Sequence, residues 1–259
     1  MFADLKNLDV VREGPVLHVA FDDPDNGNVV TEPLLDDLLT VLTALPDLSD
    51  VRVLVLSGTG NDFCLGGDRR EFTAMVEEDA TGEGIRASGD KARRVCEALS
   101  ASRAVTIARV QGQAVGAGVA LALHCDLRVG SEDSRFRLPE LALGLPTAWG
   151  GALPRLLHEA GAARIRELIL TGRAFGAEEA ERLSVLHRVV PADQLDDAVR
   201  DWSKPIVRRS PTALRVTKAL LNSYSAGTRL ADPALLDAEL MASVIASGHY
   251  ARSVARGGA

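Results

Sequence analysis

Three stretches in the first 110 residues carry the apolar pattern of β-strands. Residues 16–21 (VLHVAF) alternate between apolar and other side chains and lead into a turn-forming run at 22–27. Residues 51–56 (VRVLVL) are rich in β-branched side chains, and residues 104–110 (AVTIARV) repeat this type. We therefore predict a strand at each of these places.

A helix is predicted between the first two strands. Thr31 can cap its start, Pro33 suits its first turn, and six leucines between 34 and 45 recur at helical spacing. Strand, helix and strand in this order indicate a crossover connection with parallel pairing.

The pattern changes further along the chain. Residues 73–90 are polar and contain three glycines, which predicts a mobile surface segment that leads into a helix at 91–99. Beyond residue 150 the apolar residues take helical spacing, and we expect helices at 152–160, 162–170, 177–183, 193–208, 211–223 and 233–246.

Charge also separates the C-terminal part. Residues 201–259 carry eight lysines and arginines against four acidic residues, so their net charge is +4. Because the whole chain has a net charge of −7, residues 1–200 have a net charge of −11. We predict a core domain at 1–200 that holds the functional site and a helical region at 201–259. The basic tail can meet an anionic ligand or another subunit; a solvated helical face is the alternative interpretation.

Composition narrows the classes of function. A chain of 259 residues with 46% apolar and 25% charged residues is one large domain, with or without a small appendage. No apolar run approaches the roughly 20 residues of a membrane span, and the start lacks the regions of a signal peptide, so a cytoplasmic location is expected. A net charge of −7 with 4% aromatic residues argues against nucleic-acid binding.

The cysteines predict no cross-links and no metal site. Cys64, Cys96 and Cys125 lie far apart and form no CxxC pair, which is typical of neither a disulfide framework nor a zinc site. Cys64 is interpreted as a small packing residue rather than a reactive thiolate.

Two glycine-containing stretches follow predicted strands. In residues 61–68 (NDFCLGGD), the glycine pair allows positive φ and close approach of the backbone to a ligand. Residues 111–120 (QGQAVGAGVA) open an apolar helix whose first N–H groups suit negative charge, including charge that develops during a reaction. Neither stretch has the glycine spacing of a dinucleotide fold, and no Gly-Lys-Ser/Thr P-loop is present.

Glu140 is a lone acid in a mostly apolar run at 138–146 (LPELALGLP). A carboxyl group in such surroundings should have a raised pKa, which suits proton transfer. The alternative is a structural carboxylate paired with Arg135 or Arg137.

Together these stretches resemble the crotonase (enoyl-CoA hydratase/isomerase) superfamily over nearly the whole chain. The matching motifs are DP…N at 23–28, FCLGGD at 63–68, G…GAG…CD at 112–126, LPE…G at 138–144, GG at 150–151 and LHRVVP at 186–191. The resemblance implies an α/β fold with a repeated ββα spiral core at 1–200 and a helical C-terminal trimerisation region at 201–259.

The resemblance also implies an acyl-CoA thioester substrate, with no cofactor beyond the coenzyme A of the substrate itself. Backbone N–H groups of Gly67 and Ala117 would form the oxyanion hole that stabilises an enolate-like intermediate. Glu140 would be the catalytic acid and base. Substrate or CoA contacts are expected from Leu65, Asp68, Gly116, Trp149 and Lys218, with Arg69 and Arg70 as further candidates for the CoA phosphates.

One position departs from the hydratases of the superfamily. They resemble one another in a pair of glutamates, one matching Glu140 and the other matching Ala120, which cannot transfer a proton. A single carboxylate can instead move one proton between two carbons, as isomerases of the superfamily do. We therefore favour an isomerase. The alternatives are a hydratase with an atypical second group and a non-catalytic acyl-CoA-binding homologue.

Three further expectations follow. His124, four residues after Ala120, is interpreted as a packed histidine rather than a replacement acid. Trp149 either narrows the acyl pocket or packs in the core, and Ala148 lacks the carboxylate of dehalogenase-like members.

The chain is expected to form a trimer or a dimer of trimers, with a seam from Leu235, Leu236, Leu240 and Val244.

Overall fold

The computed structural model describes residues 2, 4–79, 81–227 and 237–246. Its main sheet has six strands in the order β1-β2-β3-β4-β6-β9, and a smaller sheet has the order β5-β7-β8. The strands are β1 Leu8–Glu13, β2 Val16–Phe21, β3 Val53–Gly58, β4 Val105–Val110, β5 Gln113–Val115, β6 Leu127–Ser131, β7 Arg135–Arg137, β8 Phe175–Gly176 and β9 Arg188–Val190.

Parallel pairing dominates the main sheet. Strands β2, β3, β4, β6 and β9 pair in parallel, whereas β1 joins β2 as an antiparallel hairpin. The helix α1, Glu32–Ala44, connects β2 to β3, and the Thr31 Oγ1 accepts a hydrogen bond of 3.2 Å from the Leu34 amide. The predicted crossover and its cap are therefore confirmed.

The expectation of a mobile segment at 73–90 is wrong. This stretch forms most of helix α2, Arg69–Glu78, and the first part of helix α3, Glu83–Ala101. The carboxylate of Asp68 accepts from the amides at the start of α2, and that of Asp79 does so for α3. These acids stabilise the helix starts, because each satisfies N–H groups that have no partner within the helix.

The remaining helices follow the sequence pattern closely. They are α4 Ala117–Leu123, α5 Ala152–Glu159, α6 Ala162–Thr171, α7 Ala177–Arg182, α8 Leu195–Val207, α9 Pro211–Gly227 and α10 Asp237–Ala246. Residues 233–236 of the last predicted helix lie outside the described residues. Helix α8 runs across residue 200, the predicted domain boundary, and packs on β3, β4 and β6.

Both faces of the main sheet are buried at its central strand β3. Leu54 and Leu56 of β3 face the main apolar core, whereas Val53 and Val55 face a smaller cluster that includes Leu195 of α8. Strands buried on both faces read as continuous apolar runs, which is why β3 was readable from the sequence. The fold is mixed α/β with a helical C-terminal region. Among the described helices, none is both long and apolar enough for a membrane span.

The C-terminal helices are fixed to the same chain by polar contacts. On α9, the Lys218 ammonium group lies 2.6 Å from Asp126 Oδ2 and 3.0 Å from the Ala104 carbonyl oxygen. Helix α10 packs against α3, where Arg86 Nε donates to Glu239 Oε1 at 2.7 Å.

Candidate active site

One cavity collects the three motifs that the sequence singles out. It holds about 1080 Å³ of atom-free space, its open mouth included. Residues 65–69, 115–117 and 139–149 contribute to its wall together with parts of α1, α2, α3 and α10. Glu140, Gly67 and Ala117 therefore line the same cavity.

Gly67 presents a free amide to this cavity. Its neighbours pair with Val30 as in a parallel sheet, because the Val30 amide donates to the Gly66 carbonyl at 2.7 Å and the Asp68 amide donates to the Val30 carbonyl at 2.9 Å. In this pattern the N–H of the central residue points away from its partner strand. Within the described part of the chain, the Gly67 N–H has no hydrogen-bond acceptor.

Ala117 presents the second free amide as the first residue of α4. Its predecessor Gly116 has φ +50° and ψ −110°, a conformation that residues with a Cβ avoid, and the Gly116 amide donates to the Arg137 carbonyl at 3.0 Å. No acceptor for the Ala117 N–H is found in the described ranges. Two unpaired N–H groups in one cavity can stabilise an oxyanion.

The two donor segments lie directly against each other. The Val115 amide donates to the Cys64 carbonyl at 3.0 Å, and a Cβ atom on Gly118 would lie 2.4 Å from that carbonyl oxygen. Only glycine allows this approach. Burial raises the pKa of Cys64 to about 12, so its side chain stays a neutral thiol and packs in the core.

Glu140 begins a 3₁₀ turn, Glu140–Leu143, and its carboxyl group lies in the cavity wall. Burial raises its pKa to about 7, against the smaller lowering effects of its own backbone N–H and of the Thr147 hydroxyl, which lies 3.5 Å from Oε2. Arg137 donates instead to the Gly172 carbonyl, and Arg135 to the carbonyls of Asp133 and Ser134. The structural ion pair considered from the sequence is therefore excluded.

The other carboxylates in the cavity wall are engaged elsewhere. Asp68 caps α2, and Glu71 Oε2 accepts a hydrogen bond of 2.9 Å from the Glu32 amide. Glu32 in turn forms an ion pair of 2.7 Å with Lys91. Of the cavity-lining acids that the structure describes, Glu140 alone has neither a salt bridge nor a hydrogen bond from the backbone of another residue at its carboxylate.

No second acid occupies the position of Ala120. This residue is 1% exposed within α4, and it is not among the residues that line the cavity. His124 is turned to the helix backbone, because its Nδ1 lies 2.8 Å from the Ala120 carbonyl oxygen. Burial lowers the pKa of His124 to about 4, so the imidazole is neutral. The interpretation of His124 as a packed residue agrees with these contacts.

The predicted substrate contacts divide into two groups. Leu65, Asp68, Gly116 and Trp149 line the cavity, as does Arg69 at its exposed edge. Lys218 does not line the cavity, because it lies on the buried face of α9 and forms an ion pair with Asp126. Arg70 points to Asp68, outside the lining. Within one chain, the structure therefore gives Lys218 a structural role.

Several cavity residues escaped sequence reasoning. Thr147, Phe72, Met75, Ile85 and Met241 were not singled out, although all but Thr147 line the cavity. The apolar spacing of Phe72, Met75 and Val76 gives a helical signal, but the surrounding charged residues hid it.

The enoyl-CoA hydratase/isomerase family model matches residues 12–256 of this chain. The chain belongs to the enoyl-CoA hydratase/isomerase family. Its sequence is 31% identical, over 83% of the chain and 81% of the relative, to the peroxisomal Delta(3,5)-Delta(2,4)-dienoyl-CoA isomerase of Arabidopsis thaliana. It is 30% identical to the short-chain-enoyl-CoA hydratase of Clostridium acetobutylicum, over 85% of the chain and 82% of the relative.

A solved structure of the family has the same fold. The enoyl-CoA hydratase of Bacillus anthracis superposes with a TM-score of 0.78 at 28% identity, covering 93% of this chain and 90% of that one. The enoyl-CoA hydratase/isomerase relatives thus include enzymes named for either reaction. The crotonase fold predicted from the motifs is confirmed.

Proposed function

We propose that this protein is an enoyl-CoA isomerase that moves a double bond from the 3 to the 2 position of an acyl-CoA thioester. The observation that carries the proposal is that Glu140, the one cavity-lining acid of the described residues with neither a salt bridge nor a backbone donor from another residue, shares a cavity with the free amides of Gly67 and Ala117. Alanine at position 120 leaves the helix that begins with Ala117 without a second proton-transfer group.

Each proposed step uses residues of this cavity. The thioester oxygen accepts hydrogen bonds from Gly67 N–H and Ala117 N–H, which lowers the energy of the anion formed next. The Glu140 carboxylate removes a proton from C2 of the 3-enoyl thioester, and the electron pair delocalises into a dienolate. The Glu140 carboxylic acid, whose proton can exchange with solvent, then donates a proton to C4, and the double bond lies between C2 and C3.

Hydration is the second candidate, because hydratases stand among the similar proteins. It needs one group to activate water and another to deliver the proton to C2. In the described structure the only side-chain hydroxyl bonded to Glu140 is that of Thr147, which cannot act as a base at neutral pH. A non-catalytic homologue would have no need for a half-buried acid without an ion-pair partner, which costs stability.

The CoA part of the substrate is proposed to cross the exposed edge of the cavity at Arg69. Its phosphates would then meet an exposed cation, whose attraction is screened within about 10 Å at 0.1 M salt. Calorimetry with an acyl-CoA ester should give weaker binding at higher salt, and unchanged affinity would count against this contact.

Self-association is proposed as the role of an exposed apolar stripe on α9. Val216, Leu220 and Tyr224 recur every four residues and are each more than 40% exposed, whereas Lys218 faces the core. A second copy of this chain, in a trimer or a dimer of trimers, would cover the stripe. Leu240 is exposed and Val244 half-buried on α10, while Leu235 and Leu236 lie outside the described residues. A stable monomer in light scattering at micromolar concentration would refute this proposal.

Product analysis in D₂O tests the proposed reaction. The wild-type protein is incubated separately with 3-enoyl- and 2-enoyl-CoA esters, and products are separated by mass and double-bond position. Isomerisation gives a 2-enoyl product of unchanged formula apart from deuterium. A 3-hydroxyacyl product formed as fast or faster would favour the hydratase instead.

A further inference from the structure

We infer that helix α10 closes the acyl end of the cavity and that Met241 sets the length of the acyl chain the enzyme accepts. The inference rests on the proposed function, since it requires an acyl-CoA thioester held at Gly67, Ala117 and Glu140. It adds one residue, Met241, as the limit on acyl chain length.

The direction of the acyl chain follows from burial. Gly67 and Arg69 are exposed, so the cavity opens on the side of the first oxyanion donor. One wall of the cavity is formed by Ile85, Leu145 and Met241, which belong to an apolar cluster that also includes Ile245. Phe72, Met75, Val76 and Leu143 pack against the same cluster. With CoA at the opening, an acyl chain that leaves the thioester meets this wall.

Met241 is the member of the cluster that α10 supplies to the cavity lining. It is 8% exposed and lines the cavity together with Ala238, one turn earlier on the same helix. A methionine side chain is unbranched and fills irregular apolar gaps, so its thioether occupies space that a longer acyl chain would need.

Close contacts hold α10 at this wall. A Cβ atom on Gly89 of α3 would lie 3.0 Å from the Ala238 Cβ, so the two helices approach closely there. The Asp237 Oδ2 accepts a hydrogen bond of 2.9 Å from the Gly151 amide, two residues after Trp149. The Arg86–Glu239 ion pair lies on the outer side of the same helix pair. Met241 is thereby held in a fixed relation to the loop that carries Trp149.

The size of the expected effect follows from pocket energetics. One methylene that fits or fails to fit an apolar pocket changes discrimination by about 10- to 200-fold. Met241→Ala removes three heavy atoms from the wall, which is room for at least one further methylene. The variant should therefore prefer a longer acyl chain, and its affinity for short chains should change little.

The experiment measures binding rather than turnover. Saturated acyl-CoA esters of increasing even chain length are titrated calorimetrically into the wild type, Met241→Ala and the control Leu240→Ala. Leu240 neighbours Met241 on α10 but is 50% exposed and outside the cavity lining. We expect Met241→Ala to shift the tightest-binding chain length upward, with at least a tenfold change in the ratio of long-chain to short-chain affinity. Leu240→Ala should keep the wild-type order.

A second pair of variants tests the helix position without touching Met241. Gly89→Ala puts a methyl group against Ala238, whereas Gly84→Ala on the same helix meets no atom within 4 Å. The first should alter the chain-length order, and the second should leave it unchanged.

The outcomes separate the two proposals. If the wild type binds acyl-CoA esters but Met241→Ala, folded by circular dichroism, keeps the wild-type chain-length order, the inference about Met241 is wrong and the proposed function stands. An equal shift in Leu240→Ala would also overturn it. If the wild type binds no acyl-CoA ester of any length, the proposed function itself fails.

Discussion

A Cβ atom on Gly116 would lie 3.0 Å from the Oε1 atom of Glu140. Gly116 directly precedes Ala117, so the residue next to the oxyanion donor is also the one that contacts the proposed base. The positive φ of +50° turns the chain so that the Gly116 amide donates to Arg137 and the Ala117 amide is left free. Donor and base are therefore positioned by the same backbone conformation.

Gly116→Ala should damage catalysis more than folding. The methyl group would displace the Glu140 carboxylate, and a misplacement of about 1 Å can cost about 100-fold in rate. Positive φ at a residue with a Cβ costs of order 1–3 kcal/mol. Gly14→Ala is the matched control, because its φ is +58° but a Cβ there meets no atom within 4 Å. Steady-state kinetics and urea unfolding should show similar stability losses and a rate loss in Gly116→Ala alone.

The pH dependence of kcat/KM should report the ionisation of Glu140. A base acts in its ionised form, so kcat/KM rises with pH and reaches half its plateau near pH 7, where burial places the pKa. Thr147→Val removes the hydroxyl that lowers this pKa, so the profile should move to higher pH. Thr40→Val, on the exposed side of α1, should leave it in place. A midpoint near that of a free glutamate would contradict the assignment.

The free energy of unfolding should fall with rising pH over the range in which kcat/KM rises. Because the pKa of Glu140 is raised from 4.5 to about 7 in the folded state, the folded protein binds more protons than the unfolded chain between these values. Stability therefore falls as pH rises from about 4.5 to 7, by at most about 3 kcal/mol at 1.36 kcal/mol per pKa unit. Urea unfolding at pH 8 should find Glu140→Gln more stable than the wild type, with the gain shrinking toward pH 5. If the stability difference between Glu140→Gln and the wild type were equal at both pH values, the raised pKa of Glu140 would be refuted.

The wild type should hydrate a 2-enoyl-CoA ester slowly. Ala120→Glu should raise that rate, since it supplies a carboxylate on the helix that starts with Ala117. Ala120 is buried, so the larger side chain should cost about 1–3 kcal/mol of stability. Ala120→Gln has nearly the same volume and cannot transfer a proton, which makes it the control. Hydration that rises equally in both variants would show that the effect is not acid–base chemistry. Strong hydration by the wild type would mean that the second group lies elsewhere.

The sequence could predict those parts that local chemistry determines. The β3 strand, the Thr31 cap and the glycines around Ala117 follow from apolar runs, capping groups and backbone conformation within a few residues. The lone Glu140 was visible because its neighbours are apolar. These features need no knowledge of distant segments.

Long-range contacts account for what the sequence did not reveal. Lys218 pairs with Asp126, 92 residues earlier, so its basic charge looked available for CoA although the fold uses it to hold α9. Met241 reaches the cavity only because α10 packs on α3, which the polar composition of residues 73–90 had suggested to be a mobile segment. Neither contact leaves a local pattern that could predict it.

Deuterium uptake from D₂O by wild type and Glu140→Gln tests the central claim most directly. Glutamine keeps the size of the side chain but cannot accept a proton, so exchange at C2 and C4 of a 3-enoyl-CoA ester should fall by about 10⁴-fold, the upper end for general acid–base catalysis. The affinity for a saturated acyl-CoA ester, measured in parallel, should stay within a few-fold of wild type, which shows that the cavity is intact. Exchange at near wild-type rate in Glu140→Gln would contradict the account and place the base at another residue of the cavity.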